Sequence, residues 1–204
     1  MYNGYMTYNY PLKLNFRLIA LAPKISIKDA SDTEILYVEQ KVLALKEAVK
    51  VFNNAKDKKL LYTMQANQII DFGATYIFRD TKSNDEIGSI QQEGMRSLFQ
   101  ASYTVMDKNK KQVYNIVQSN PMIALLDSLL SIIPFAELFT GFILNPTYTI
   151  SKTDSKKSVL TMKKKPSFFE SNFVLTKDTN ILEKDETLLL LASLMIVQLE
   201  KNRG

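Results

Sequence analysis

From Leu12 onward the chain alternates. Leu12, Leu14, Phe16 and Leu18 fall on one side, Lys13, Asn15 and Arg17 on the other. That period of two is the mark of a strand with one buried face. Comparable runs recur at 24–28, 34–40, 48–53, 60–66, 74–80, 86–91, 98–106, 112–117, 146–151, 158–163 and 169–176, giving about twelve candidate strands. Polar clusters separate many of them: DASDT (29–33), NNAKDKK (53–59), DTKSNDE (80–86), DKNKK (107–111) and KTDSKK (152–157). Short strands punctuated by regular turn signals predict a sandwich or a barrel. Three stretches, 64–80, 90–107 and 162–178, share a layout in which a link leads into an aromatic-headed strand, at Tyr76, Tyr103 and Phe173. They read as repeated hairpin units.

Two segments break this rhythm. In SNPMIALLDSLLSIIPFAELFTGFILNP (119–146), Asn120 before Pro121 marks a helix start, and Pro134 must break or kink that helix. Residues 122–144 carry only Asp127 and Glu137 as charges, so length alone would let them span a bilayer. A carboxylate at the bilayer centre costs about 2.5–3.5 kcal/mol, which favours short helical pieces near 121–144 on the surface or end of the protein.

The second is DETLLLLASLMIVQLEKNRG (185–204), uncharged on every side from Leu188 to Val197. Asn180, with Glu183 three residues on, predicts a capped start. Asp185 and Glu186 early and Lys201 and Arg203 late suit the helix dipole. Such a helix is roughly 36 Å long, but its uncharged part covers only about 15 Å, half of a hydrocarbon core of about 30 Å. Too short to span a membrane and apolar all round, it must be surrounded by protein. A barrel wider than eight strands encloses space, and a helix is about 10 Å across. The expected fold is mainly β: a closed antiparallel barrel of about twelve strands around the buried C-terminal hydrophobic α-helix. It would occupy 12–204, with 1–11 as a tail along the surface.

Composition narrows the chemistry. Among 204 residues there is no cysteine and no histidine, which excludes Ser-His-Asp and Cys-His nucleophiles and zinc sites built on either residue. Six glycines form no phosphate-cradling loop. The net charge of +5 is mildly basic, without an arginine-rich nucleic-acid stripe.

The chain resembles the tubby-like barrel superfamily, in particular bacterial relatives of the LURP-one-related proteins and the phospholipid scramblases. The likeness rests on NYPLKLNF (9–16), EILYVEQK (34–41), IIDFGATYIFRD (69–80), DSLLSIIPFAELFTG (127–141) and the final LLLLASLMIVQLEKNRG. It implies a twelve-stranded barrel threaded by its C-terminal helix, and a choice between phosphoinositide binding, scramblase-like lipid movement and roles without known biochemistry. The scramblase pattern is incomplete, since the cysteine-rich segment is missing and Glu183, Asp185 and Glu186 lack the alternating ligands and central glycine of a calcium loop.

For an anionic ligand or lipid the candidates are Arg96, Lys163, Lys164, Lys165 and Phe168, basic and aromatic residues in two corresponding links. Their alternative role is as solvated lysines that discourage edge pairing, with the phenylalanine in the core. Asp71, between apolar neighbours, is a lone candidate carboxylate that a strand could equally turn to water. The expectation is a non-enzymatic binding barrel with no cofactor, no metal and no nucleic-acid partner. Its partner would be anionic phospholipid or a protein docked on 121–144. Its expected location is the cytoplasm, peripheral at the inner membrane surface where lipid is the partner.

Overall fold

The computed structural model describes residues 7–19, 22–39, 48–67, 74–93, 101–119, 145–166 and 171–201. Twelve strands succeed one another: β1 Leu12–Ile19, β2 Ala22–Lys28, β3 Glu34–Glu39, β4 Val49–Phe52, β5 Leu60–Ala66, β6 Thr75–Asp80, β7 Glu86–Gln92, β8 Ser102–Asp107, β9 Gln112–Gln118, β10 Thr147–Lys152, β11 Ser158–Lys165 and β12 Ser171–Lys177. Each pairs antiparallel with its sequence neighbour, and β12 returns to β1 through Leu12↔Leu175, Leu14↔Phe173 and Phe16↔Ser171. The sheet is therefore a closed barrel with no free edge. The helical pieces predicted near 121–144 lie outside the described residues.

The alternation fixes which way each side chain points. Leu12, Leu14, Phe16, Ile25, Ile27, Leu36, Val38, Val49 and Val51 are buried, and their neighbours in sequence point outward. Into this lumen runs the C-terminal helix, α1 (Glu183–Lys201), and every residue from Glu186 to Gln198 is buried. Ser193 returns its hydroxyl to the Leu189 carbonyl at 2.8 Å, so it adds no unmet polar group to the lumen. Gln198 is buried too. The predicted cap is corrected: the Leu182 carbonyl receives the Asp185 and Glu186 N–H groups, so the helix begins after Leu182 and Asn180 lies before it.

The two barrel ends differ. At one, compact turns join β2–β3, β4–β5, β6–β7, β8–β9 and β10–β11. Four of these turns share one device, a leading Asp or Asn whose side-chain oxygen accepts two backbone N–H groups. Asp107 Oδ1, for example, takes Asn109 and Lys111 at 2.9 and 3.0 Å, and Asp29, Asn54 and Asp80 act alike. Each of the five closes through a left-handed residue, Asp32, Lys58, Asn84, Lys110 or Lys156. The other end carries the longer connections, and α1 exits there. The repeated layout in the sequence has a physical meaning at that end. Tyr103, Tyr148 and Phe173 head their strands there and are buried in the core, with half-buried Tyr76 in the equivalent place, and Tyr148 reaches Glu200 near the end of α1.

The helix lies closest to β7 and β8. Gly88 makes the approach possible: a Cβ there would stand 2.8 Å from Leu188 Cδ1 and 2.4 Å from the Met106 carbonyl oxygen. Backbone cannot retreat as a flexible side chain can. Gly88→Ala is therefore expected to destabilise the fold by about 1–3 kcal/mol, or more, through overpacking. A denaturant melt checks this; an unchanged midpoint would mean that the helix is not seated against β7.

Candidate functional site

The helix meets polar groups at both mouths. At its start Glu186 is fully buried, an expensive place for a carboxylate unless it is paired. It is paired: Lys177 at the end of β12 forms a short ion pair with it, and the Tyr8 backbone N–H donates to Oε2 at 3.2 Å. The Lys177 ammonium also lies 5.4 Å from the centre of the Tyr10 ring. Beside it the Tyr114 hydroxyl donates to Asp185 Oδ2 at 2.7 Å. Burial pushes the Tyr8 phenol well above its usual range, reinforced by its neighbours Tyr62 and Glu186 and opposed by a hydrogen bond with Thr187. Burial and Glu186 do the same to Tyr10, and burial and Asp185 to Tyr114. These phenols stay neutral near pH 7; Tyr114 is hydrogen-bonded to Asp185, whereas the buried Tyr8 and Tyr10 hydroxyls fill the mouth chiefly by packing.

The N-terminal segment thus does more than lie on the surface. Tyr8 and Tyr10 pack on the core, and the Asn9 carbonyl accepts the Ala30 N–H at 2.9 Å. The signal is present in the sequence: Tyr8 and Tyr10 continue the inward parity of Leu12, Leu14 and Phe16.

At the far mouth Glu200 sits near the negative end of the helix dipole, where an acid is unfavourable. Tyr148 donates to it at 2.6 Å, and Lys164 Nζ stands 3.7 Å away. This divides the predicted lysine triad. Strand β11 runs on to Lys165, two residues past the sequence estimate, and the pleat turns Lys164 inward while Lys163 and Lys165 face outward. Lys164 is a tether for the helix. Lys163 and Lys165 are exposed and make no ion pair among the described residues. Arg96, Phe168 and Asp71 lie outside the described residues. Among the described residues, no group of three or more acids could hold a metal ion, and no helix is long and apolar enough to cross a membrane.

The two partners of the buried pair should respond unequally. Lys177→Ala leaves a fully buried carboxylate uncompensated and is expected to cost about 3–5 kcal/mol. Glu186→Gln leaves a lysine that still reaches water and is expected to cost less. Thermal melts of both variants check the order, and the reverse order would mean that the lysine carries the larger desolvation burden.

Comparison with known proteins agrees with this architecture. A family model described as LURP-one-related matches residues 34–179. No curated protein matches the chain. Among solved structures, the X-ray structure of a protein from Arabidopsis thaliana matches with a TM-score of 0.50 and 12% identity, over 96% of this chain and 93% of that one. At that identity the likeness shows the fold alone, and it extends over β1, β2 and α1, which the family match does not reach. With the family match covering well over half of its length, the chain belongs to the LURP-one-related family, within the tubby-like barrels.

Proposed function

We propose that this barrel is a non-enzymatic binding module that associates with anionic phospholipid at a membrane surface. The observation that carries the reading is the filled lumen. Thirteen consecutive helix residues, Glu186 to Gln198, are buried inside the strands, so a ligand has to meet the outer surface. There Lys163 and Lys165 stand exposed at the end of β11, with no ion pair among the described residues. Lysines held near an anionic leaflet contribute about 1 kcal/mol each, which suits weak, reversible attachment. In this reading the protein works in the cytoplasm, at the inner membrane surface. The absence of cysteine and histidine from the sequence, and the pairing of Glu186 with Lys177 and of Glu200 with Tyr148, support binding over chemistry.

Vesicle co-sedimentation tests this. Pelleting is expected with anionic lipid and not with neutral lipid, falling as salt rises because the screening length shrinks to about 8 Å at physiological ionic strength. Lys163→Glu with Lys165→Glu should abolish it, whereas Lys164→Gln should lower the melting temperature with little effect on pelleting. Full binding by the double variant would remove this site; no pelleting at low salt would remove the lipid reading.

A further inference from the structure

Lys163 and Lys165 are one end of a longer feature. The β8–β9 turn (107–111) and the β10–β11 turn (152–157) each hold three lysines against one aspartate. Each carries a net +2, as does the β4–β5 turn (53–59) elsewhere on the ring, but only these two turns are neighbours. Their aspartates are engaged locally: Asp107 by the Asn109 and Lys111 N–H groups, Asp154 by the Ser155 N–H at 2.5 Å. Lys110 pairs with Glu86. Lys108, Lys111, Lys156 and Lys157 are exposed and make no ion pair among the described residues. The turns are adjacent, because β9 pairs with β10 and the Thr153 N–H donates to the Val113 carbonyl.

Strand β11 joins the two lysine groups. Lys156 and Lys157 precede its first residue, and Lys163 and Lys165 close it. Eight residues at about 3.3 Å each set them roughly 26 Å apart along one outer wall. Between them the outward positions of β9–β12 include Asn115, Val117, Thr149, Thr161, Val174 and Thr176, all uncharged. Val117, Thr149, Thr161 and Thr176 line up across the four strands as register partners. The acid at this wall, Asp178, accepts the Ser158 and Thr161 hydroxyls at 2.5 and 2.8 Å.

We infer that the β9–β12 wall is the membrane-facing side, so that the barrel lies lengthwise on an anionic bilayer with both lysine groups engaged. The inference rests on the lipid reading above and extends it from one strand end to an orientation. Three features select a bilayer over other anions. The charges stand too far apart for one headgroup or free phosphate to bridge. They are all lysines, point charges suited to a laterally mobile anionic surface and not to the bidentate recognition that arginine provides. And the described aromatic side chains of β9–β12, Tyr114, Tyr148 and Phe173, are buried inside the barrel, leaving none on the wall to stack nucleic-acid bases.

The test uses the full chain and vesicles of phosphatidylcholine with roughly one-third phosphatidylserine, at low salt. Three double variants each remove two positive charges. Lys156→Asn/Lys157→Gln alters the turn and keeps a residue that tolerates the left-handed backbone of position 156. Lys163→Gln/Lys165→Gln alters the strand end. Lys50→Gln/Lys82→Gln is the control: Lys50 is exposed on β4, six strands round the ring from β10, and Lys82 is exposed in the β6–β7 turn. Both wall variants should lower the partition coefficient about tenfold or more and the control less than about threefold, with melting temperatures unchanged. A turn variant that binds like the control, while the strand-end variant is impaired, overturns the lengthwise orientation and leaves the lipid reading standing. Absence of vesicle binding by the unaltered chain overturns both. Soluble inositol phosphate that binds with the same dependence on both lysine groups, or a DNA duplex that does so and displaces the vesicles, overturns the bilayer as partner.

Discussion

A helix that is apolar on every face cannot rest against one wall. It has to be enclosed, and that need shapes the rest of the molecule. Eight large apolar side chains of α1, Leu188 to Leu191, Leu194, Met195, Ile196 and Val197, are at most 3% exposed. At about 1.5–3 kcal/mol each, their burial is on the order of 10–25 kcal/mol in gross terms, comparable with or larger than the whole net stability of about 5–15 kcal/mol expected of a domain. Twelve strands form a ring wide enough to hold the helix, closure of β12 on β1 removes the edges, and Gly88 opens the wall where the helix comes nearest.

Enclosure creates a problem at each mouth, where the helix leaves oil for water. At its start the first-turn acids suit the dipole, but Glu186 lies too deep for solvent, so Lys177 and the Tyr8 backbone neutralise and bind it. At its end Glu200 opposes the dipole and is held by Tyr148 and Lys164. The polar clusters that might have suggested chemistry are thereby consumed in seating the helix. Under the proposed function, recognition falls to the outside of the ring, where lysines stand exposed.

How much of this is legible in the sequence depends on how local the signal is. Period-two alternation reports a strand from within itself, so all twelve strands are readable, and the all-round apolar stretch makes the barrel a necessity before any family resemblance. Contacts across the chain are different in kind. Nothing near Glu186 announces Tyr8, which lies 178 residues away. Two details of placement do have a local signal. The lysine triad reads as one patch only while β11 is ended at Lys163; extending the alternation two residues splits it, Lys164 in and its neighbours out. The tail reads as peripheral although Tyr8 and Tyr10 keep the parity of β1. The cap at Asn180 fails for another reason: a good capping residue permits a helix start without requiring one, and the first helical N–H groups bond to the Leu182 carbonyl.

On this account the barrel and its helix fold as one cooperative unit. The most direct measurement is the near-ultraviolet circular dichroism and thermal melt of a chain ending at Glu186, beside the full chain. The shortened chain should lose its fixed aromatic signals and any cooperative transition, because an empty twelve-stranded ring has no core. A soluble shortened chain with native aromatic signals and a sharp melt would contradict the claim, and would mean that the strands close without the helix.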